Sequence, residues 1–287
     1  MNFEHNETLE HALQRNVHDA LMEDVGRGDW TARLVAADRR ITAQVVAKES
    51  AVVCGRPWFD ACILAADPQA RVSWLADEGE AVAAGAVICR IEANARGLLS
   101  AERPALNFLQ MLSGVATVTR RYVNALVGIS PNPHGCKVLD TRKTLPGLRQ
   151  AQKYAVRAGG GHNHRMALWD GILIKENHIA AAGGIDAALR AARALNADVE
   201  IQVEVENLVE LQQALDAGAT NVLIDDFTLD DMRRAVALNR RRAVLEVSGG
   251  VDLQTIRAIA GTGVDRISIG KLTKDLRAVD LSMRVTG

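Results

Sequence analysis

The sequence predicts an α/β protein: a short α+β segment, then parallel strands joined by crossover helices, in a barrel rather than an open sheet. Three observations predict it. Hydrophobic residues make up 48% of the 287 residues but aromatics only 3%, so Ala, Val, Leu and Ile supply the apolar mass, as suits helices packed on buried parallel strands. From residue 136 onward, short β-branched runs alternate with helical patterns, the signature of parallel strands with crossovers. Polar residues stand at the carboxyl end of nearly every such run, the end at which a βα-barrel carries its functional loops.

Taken in order, residues 8–25 read as an amphipathic helix, with Leu9, Ala12, Leu13, Val17, Ala20, Leu21 and Val25 on one face. The Gly-rich turn EDVGRGDWT (23–31) follows. Residues 41–48 and 71–75 alternate like half-buried strands around the helix-like WFDACILAA, and Gly79 and Gly85 punctuate short strands within 77–93. Pro104 is expected in the opening turn of the next helix, ERPALNFLQMLSGVAT (102–117), where its missing N–H costs little. Six strands are then legible: 137–140, 171–174, 200–205, 221–224, 243–247 and 266–269, with a seventh expected in KYAVRAGG. Between them, Leu208, Leu211 and Leu215 mark a helix closed by Gly218, and Leu253, Ile256 and Ile259 one opened by Asp252 as N-cap.

Composition excludes several classes. A formal net charge of −1 gives no global basic field, so a nucleic-acid partner is not expected and any anion site must be local. Cys54, Cys62, Cys89 and Cys136 show no metal-ligand spacing and read as reduced, buried thiols of a cytoplasmic protein. The N-terminus lacks a signal-peptide core, and no run of about 18 apolar residues predicts a membrane span.

The strand ends form one constellation. Arg142, Lys143 and Arg149 follow the first barrel strand; His162, His164 and Arg165 lie in GGGHNHR; Lys175, Glu176 and His178 lie in LIKENHI. Glu204, Asp225 and Asp226, Ser248-Gly249-Gly250, and Ser268, Gly270 and Lys271 complete the series. Cations thus crowd the first half of the mouth and carboxylates the second. Arg forks grip carboxylate or phosphate in two-point fashion and Lys acts as a point charge, so the ligand carries more than one anionic group. The SGG turn is expected to leave N–H groups at a helix start for a phosphate. Glu204 and Asp225 could hold Mg²⁺ against a pyrophosphate through water, or stabilise positive charge on a sugar ring. A single Lys or Arg after a strand is ordinarily a solvated loop residue, and a lone Gly-Gly pair an ordinary turn. Independent loop residues would not keep landing at one end of successive strands.

ERPALNFLQMLSGVAT, DTRKTLPGLR, KYAVRAGGGHNHR, LIKENHI, VEVEN, LIDDF, SGG and GVDRISIGKLT, in this order and spacing, resemble the quinolinate phosphoribosyltransferase family, and EDVGRGDWT resembles its N-terminal domain. The resemblance spans nearly the whole chain. It implies an N-terminal α/β sandwich domain (1–115) followed by an incomplete, seven-stranded α/β barrel (116–287), with the tail from about 275 packing back on the first domain. It implies transfer of the ribose 5-phosphate of PRPP (5-phosphoribosyl 1-pyrophosphate) to quinolinate, giving nicotinate mononucleotide, pyrophosphate and carbon dioxide, with Mg²⁺ as cofactor. It implies a homodimer or higher oligomer in which Arg103 reaches the neighbour's site. Arg142, His164 and Arg165 are then expected on the quinolinate carboxylates, with Lys143 and Lys175 spanning both substrates and Thr141 beside them. Glu204 and Asp225 fall to the ribose and metal, and Ser248, Gly249, Gly250, Ser268 and Gly270 to the 5-phosphate.

Three positions depart from the family's common pattern: Asp226 where Asn is usual, Lys271 where Ala is frequent, and Lys274 where His is frequent. None removes an expected ligand, and Asp226 adds charge beside the metal region. Other readings stay open from the sequence. A phosphoribosyltransferase that does not decarboxylate would need fewer cations. A carrier domain, suggested by EGEAVAAGAVICRIEA, would need a lysine at its turn, yet none lies between Lys48 and Lys137. A non-catalytic relative would keep the fold alone.

Overall fold

The computed structural model describes residues 5–287. In chain order its elements are α1 (Leu9–Val25), β1 (Arg40–Ala47), β2 (Ala51–Val52), α2 (Arg56–Ala66), β3 (Arg71–Trp74), β4 (Ala81–Val82), β5 (Val87–Asn94) and α3 (Ala95–Ala125). Then come β6 (Lys137–Leu139), α4 (Arg149–Ala158), β7 (Gly171–Ile174), α5 (Glu176–Ala182), α6 (Ile185–Ala194), β8 (Glu200–Val205) and α7 (Leu208–Asp216). The last are β9 (Asn221–Asp225), α8 (Leu229–Asn239), β10 (Val244–Ser248), α9 (Ile256–Ala260), β11 (Arg266–Ser268), α10 (Lys271–Lys274) and β12 (Leu281–Val285). Two compact units emerge. One comprises Met1–Arg120, Thr144–Gly160 and Leu272–Gly287; the other comprises Arg121–Lys143 and Gly161–Lys271.

The first unit holds an antiparallel sheet in the order β12-β1-β5-β3 and a small β2-β4 pair. Ala43, Val45 and Ala47 alternate inward along β1, the period-2 pattern of a sheet with one covered face. Trp58, Phe59, Cys62 and Ile63 of α2 are buried in the same unit, and Phe59 meets Trp74 edge-on at 5.4 Å. The Trp58 indole N–H donates to Asn16 of α1 at 3.3 Å, which satisfies a buried donor. Pro104 is not in an opening turn, because α3 begins at Ala95 and runs through it. The Asn94 side chain starts the helix early by accepting the N–H groups of Arg96 and Gly97 at 3.0 and 3.3 Å, the work of an N-cap.

The second unit is a six-stranded, wholly parallel sheet in the order β6-β11-β10-β9-β8-β7. KYAVRAGG is not a strand. Its first part belongs to α4, where Ala151, Gln152, Ala155 and Val156 are buried, a helical spacing. A single parallel bridge pairs Leu139 with His162 on the free edge of β6. This one-residue piece stands where a seventh strand would, and the barrel stays open. Val203 and Val205, Val222 and Ile224, and Leu245 and Val247 are buried on one face of the strands; Leu189 of α6, Leu211 of α7, Met232 of α8 and Ile256 of α9 are buried among the helices. The alternate face carries the polar residues. Cys54, Cys62 and Cys89 are buried and all four cysteines are free thiols. Among the described residues no helix is long and apolar enough to cross a membrane.

Candidate active site

Register brings the strand-end residues of the second unit together. Ile174 pairs with Val203, so Lys175, one step on, meets Glu204. The Lys175 ammonium lies 3.0 and 3.2 Å from the two Glu204 oxygens, and Glu204 is itself buried. Asp225 and Ser248 are register partners on β9 and β10. Ser268 on β11 is buried, its hydroxyl pointing to the Val247 carbonyl at 3.4 Å. Thr141 accepts the Lys143 backbone N–H at 3.0 Å and so shapes the loop after β6.

Charge is concentrated here. Burial, and next the Asp226 carboxylate, raise the Asp225 carboxyl above its ordinary value, against the pull of Lys175 and Lys143. Burial, and next the Arg142 guanidinium, lower the pKa of the Arg165 guanidinium below its ordinary value. An anion bound to both guanidinia would relieve this like-charge effect. Asp226 adopts left-handed backbone, φ 57°, a conformation that Asn and Asp tolerate best among residues with a side chain.

Two glycines make room. Gly249 has φ 101°, and a Cβ there would lie 3.2 Å from an Asp225 oxygen. At Gly270 a Cβ would lie 3.0 Å from the Lys143 side chain and 3.6 Å from the Thr141 hydroxyl. The loop after β10 therefore abuts Asp225, and the loop after β11 abuts Lys143. Gly250, also left-handed at φ 56°, has open space around it.

Some sequence-predicted residues have other work. α9 begins only at Ile256, and the Asp252 carboxylate already accepts the N–H groups of Gln254 and Thr255, each at 2.9 Å. Those N–H groups of the helix start are therefore already taken. His178 accepts the Lys175 N–H at 3.1 Å and caps α5. His162 is an exposed edge-bridge residue. Arg149 belongs to the first unit and donates to Thr144 at 3.1 Å. Lys271 is exposed, and Lys274 is paired with Asp275 at 3.7 Å. Arg103 also lies in the first unit, exposed on α3, where it lines a cavity of about 480 Å³ with Arg15, Asp19, Glu23 and Asp24 of α1.

The sequence reading missed four residues behind the site. Asp140, fully buried, accepts the His164 N–H at 2.9 Å and the Asn163 side-chain amide at 2.5 Å, which folds GGGHNHR over the end of β6. Gln202, Asn221 and Glu246 are buried on β8, β9 and β10. The available signal was polar residues at alternate positions inside otherwise apolar strands, as in Gln202 and Glu204 of EIQVEV.

Comparison with known proteins agrees with this geometry. The profile described as "Quinolinate phosphoribosyl transferase, C-terminal domain" matches residues 115–284, and the corresponding N-terminal domain profile matches residues 29–113. The chain is 39% identical over 275 residues to a probable nicotinate-nucleotide pyrophosphorylase [carboxylating] of Bacillus subtilis, covering 96% of this chain and 93% of that one. It is 39% identical over 282 residues to the nicotinate-nucleotide pyrophosphorylase [carboxylating] of Mycobacterium leprae, covering 95% and 96%. A solved structure of the nicotinate-nucleotide pyrophosphorylase from Francisella tularensis superposes with a TM-score of 0.93 at 43% identity, covering 100% of both chains. With both domain profiles matched in order and strand-end cations and carboxylates in one parallel sheet, this chain belongs to the quinolinate phosphoribosyltransferase family.

Proposed function

We propose that this chain joins quinolinate to the ribose 5-phosphate of PRPP, releasing pyrophosphate and carbon dioxide and leaving nicotinate mononucleotide, a step of NAD biosynthesis. The observation that carries the chemistry is the gathering of charge at the strand ends, with Lys175 against Glu204 at 3.0 Å, Gly249 against Asp225 and Gly270 against Lys143. Such an arrangement suits a base bearing two carboxylates beside a phosphorylated sugar. Arg142 and Arg165 grip the carboxylates; Lys143 and Lys175 lie where base and PRPP meet; the 248–250 turn, Ser268 and Gly270 take the 5-phosphate.

The pyridine nitrogen attacks C1 of the ribose as the bond from C1 to the pyrophosphate oxygen breaks and its electrons leave with pyrophosphate. Glu204 and Asp225 oppose the positive charge that grows on the ring, the differential stabilisation that speeds a step. The ring nitrogen, now cationic, takes up electron density as the adjacent carboxylate leaves as carbon dioxide, and the vacated carbon gains a proton. Nothing in this sequence requires a covalent enzyme intermediate.

Mg²⁺ fits the donors present. Asp225 and Asp226 crowd each other, which a divalent cation relieves, and Glu204 lies on the neighbouring strand. Among the described residues no group of three or more His, Cys, Asp or Glu side chains is arranged to hold a metal. Phosphate oxygens of the substrate would complete the coordination, as is usual for this ion. When bound, Mg²⁺ supplies positive charge to the departing pyrophosphate. The working assembly is a homodimer in which Arg103 enters the neighbouring subunit's site, and free thiols fit a cytoplasmic location.

The test is to supply PRPP and Mg²⁺ with either quinolinate or nicotinate and to follow mononucleotide and carbon dioxide together. One carbon dioxide per mononucleotide is expected from quinolinate. Nicotinate should bind far more weakly, since each charged hydrogen bond lost costs about 1.5–3 kcal/mol. Phthalate, with both carboxylates and no ring nitrogen, should compete with quinolinate. Equal use of nicotinate and quinolinate would overturn the dicarboxylate reading.

A further inference from the structure

Behind the cationic face lies a polar column that the reaction does not touch, open to solvent at Glu200 and buried at Asn221, Gln202 and Glu246. Glu200 Oε1 accepts from Asn221 Nδ2 at 2.6 Å. An ionised carboxylate only accepts, so Asn221 turns its oxygen inward, toward Gln202 Nε2 at 3.0 Å. Gln202 Nε2 also donates to Glu246 Oε2 at 3.1 Å, which leaves Gln202 Oε1 facing His164 Nε2 at 2.9 Å. Two acceptors now face His164 Nε2, for Glu246 Oε1 lies 3.5 Å from it. The ring therefore carries its proton on Nε2. Its other nitrogen, Nδ1, accepts the backbone N–H of Arg165 at 2.8 Å. Both ring nitrogens are engaged inside the protein, and Gln202 and Glu246 are only 4% and 0% exposed.

We propose that Gln202 and Glu246 are positioning residues of the quinolinate pocket. Through His164, held as the neutral Nε2–H tautomer, they fix the Arg165 backbone and hence the guanidinium that grips a carboxylate. His164 is a strut between the barrel interior and Arg165. Arg165 is anchored at its far end by a guanidinium bond to the Gly171 carbonyl at 2.8 Å, so backbone and head group are both constrained. A buried carboxylate that selects one histidine tautomer is a general device for orienting an imidazole. In Glu246→Gln the new amide either turns its NH₂ toward His164 Nε2–H, setting donor against donor, or sets it against the Gln202 amide. The exchange Gln202→Glu/Glu246→Gln restores an acceptor for Nε2–H and a donor between the two strands.

This inference rests on the quinolinate reading, so wild-type turnover of quinolinate with PRPP is measured first; its absence would overturn both. Given turnover, Glu246→Gln and Gln202→Met should weaken quinolinate, by calorimetric Kd and by KM, about tenfold, the loss of roughly one oriented hydrogen bond. PRPP KM should stay close to wild type while the thermal midpoint falls with the buried partners lost, and the exchanged double variant, which still lacks the donor to the Asn221 oxygen, should recover part of the quinolinate affinity. Unshifted quinolinate affinity in both single variants would overturn the proposal, as would equal losses for PRPP and quinolinate. Should the single variants not fold, ¹⁵N-histidine NMR of the wild-type enzyme decides. The His164 signal, identified by its loss in His164→Gln, should report the neutral Nε2–H tautomer both free and saturated with phthalate. Conversion to imidazolium on phthalate binding would end the proposal.

Discussion

Glu204 faces Lys175 with both carboxylate oxygens, so the two carboxylates of the site are not equivalent. Glu204 already neutralises a cation, whereas Asp225 is crowded by a second carboxylate, Asp226. On the proposed reading neither attracts the anionic base, and each acts as charge develops on the ribose. Glu204→Gln and Asp225→Asn should each lower kcat by roughly two orders of magnitude, the scale of one electrostatic stabiliser, with quinolinate Kd near wild type. Arg165→Ala should instead weaken quinolinate binding outright, because it removes a ground-state grip. Calorimetry beside steady-state kinetics at saturating Mg²⁺ and PRPP separates the two outcomes. Wild-type turnover in both carboxylate variants would reduce Glu204 and Asp225 to strand-end structural residues.

The helices of the first unit depend on contacts that few residue types can make. Asp67, the C-cap of α2, accepts the N–H groups of Asn94 at 2.7 Å and Gln69 at 3.0 Å. These bonds, the Asn94 bond first, hold its carboxyl below the ordinary 3.8. A carboxyl depressed on folding contributes stability above its unfolded value and loses it as pH falls through the folded value. Asp67→Asn should therefore destabilise on the order of 1 kcal/mol at neutral pH, and the gap to wild type should close as the medium is acidified below pH 3.8. Thermal melts at several pH values would show it; a gap that stays constant with pH would contradict the charge argument. In the middle of α3, a Cβ at Gly114 would collide with the Arg277 carbonyl of the chain leading to β12. Gly114→Ala should cost about 1–3 kcal/mol, the range for overpacking a close contact, seen as a lowered thermal midpoint.

Across the whole chain the net charge is only −1, so substrate capture depends on locally placed cations rather than a global field. Arg103 belongs to the first unit, and the shared-site reading makes a prediction at the level of the assembly. Arg103→Ala and Lys175→Ala should each be nearly inactive while folding and dimerising. After subunit exchange, a mixed dimer has one site containing neither change. An equal mixture should then regain about one quarter of wild-type activity, since half the dimers are mixed and half their sites intact. Activity assays after exchange has been demonstrated by a size or label difference check this. No recovery would place Arg103 in its own subunit's site or outside any site.

What the sequence determined by itself was the class of fold and the strand-end chemistry. The β-branched runs at β6 to β11 and the polar residues that follow them depend on local period and order, which a linear reading carries. The resemblance of TRKTLPGLR, GGGHNHR and IKENHI added the substrate class. Tertiary structure alone decided three matters. α3 starts at Ala95 because the Asn94 side chain caps it, a bond invisible to a reading that sees Pro104 as a helix start. The seventh strand is reduced to the Leu139–His162 bridge, while KYAVRAGG follows the helical burial of α4. The Gln202–Glu246–His164 network joins residues far apart in the chain, and which nitrogen of His164 carries a proton is set by hydrogen bonds across three strands and a loop. Period-2 patterning says which face a side chain takes, but only the register of parallel neighbours says whom it meets.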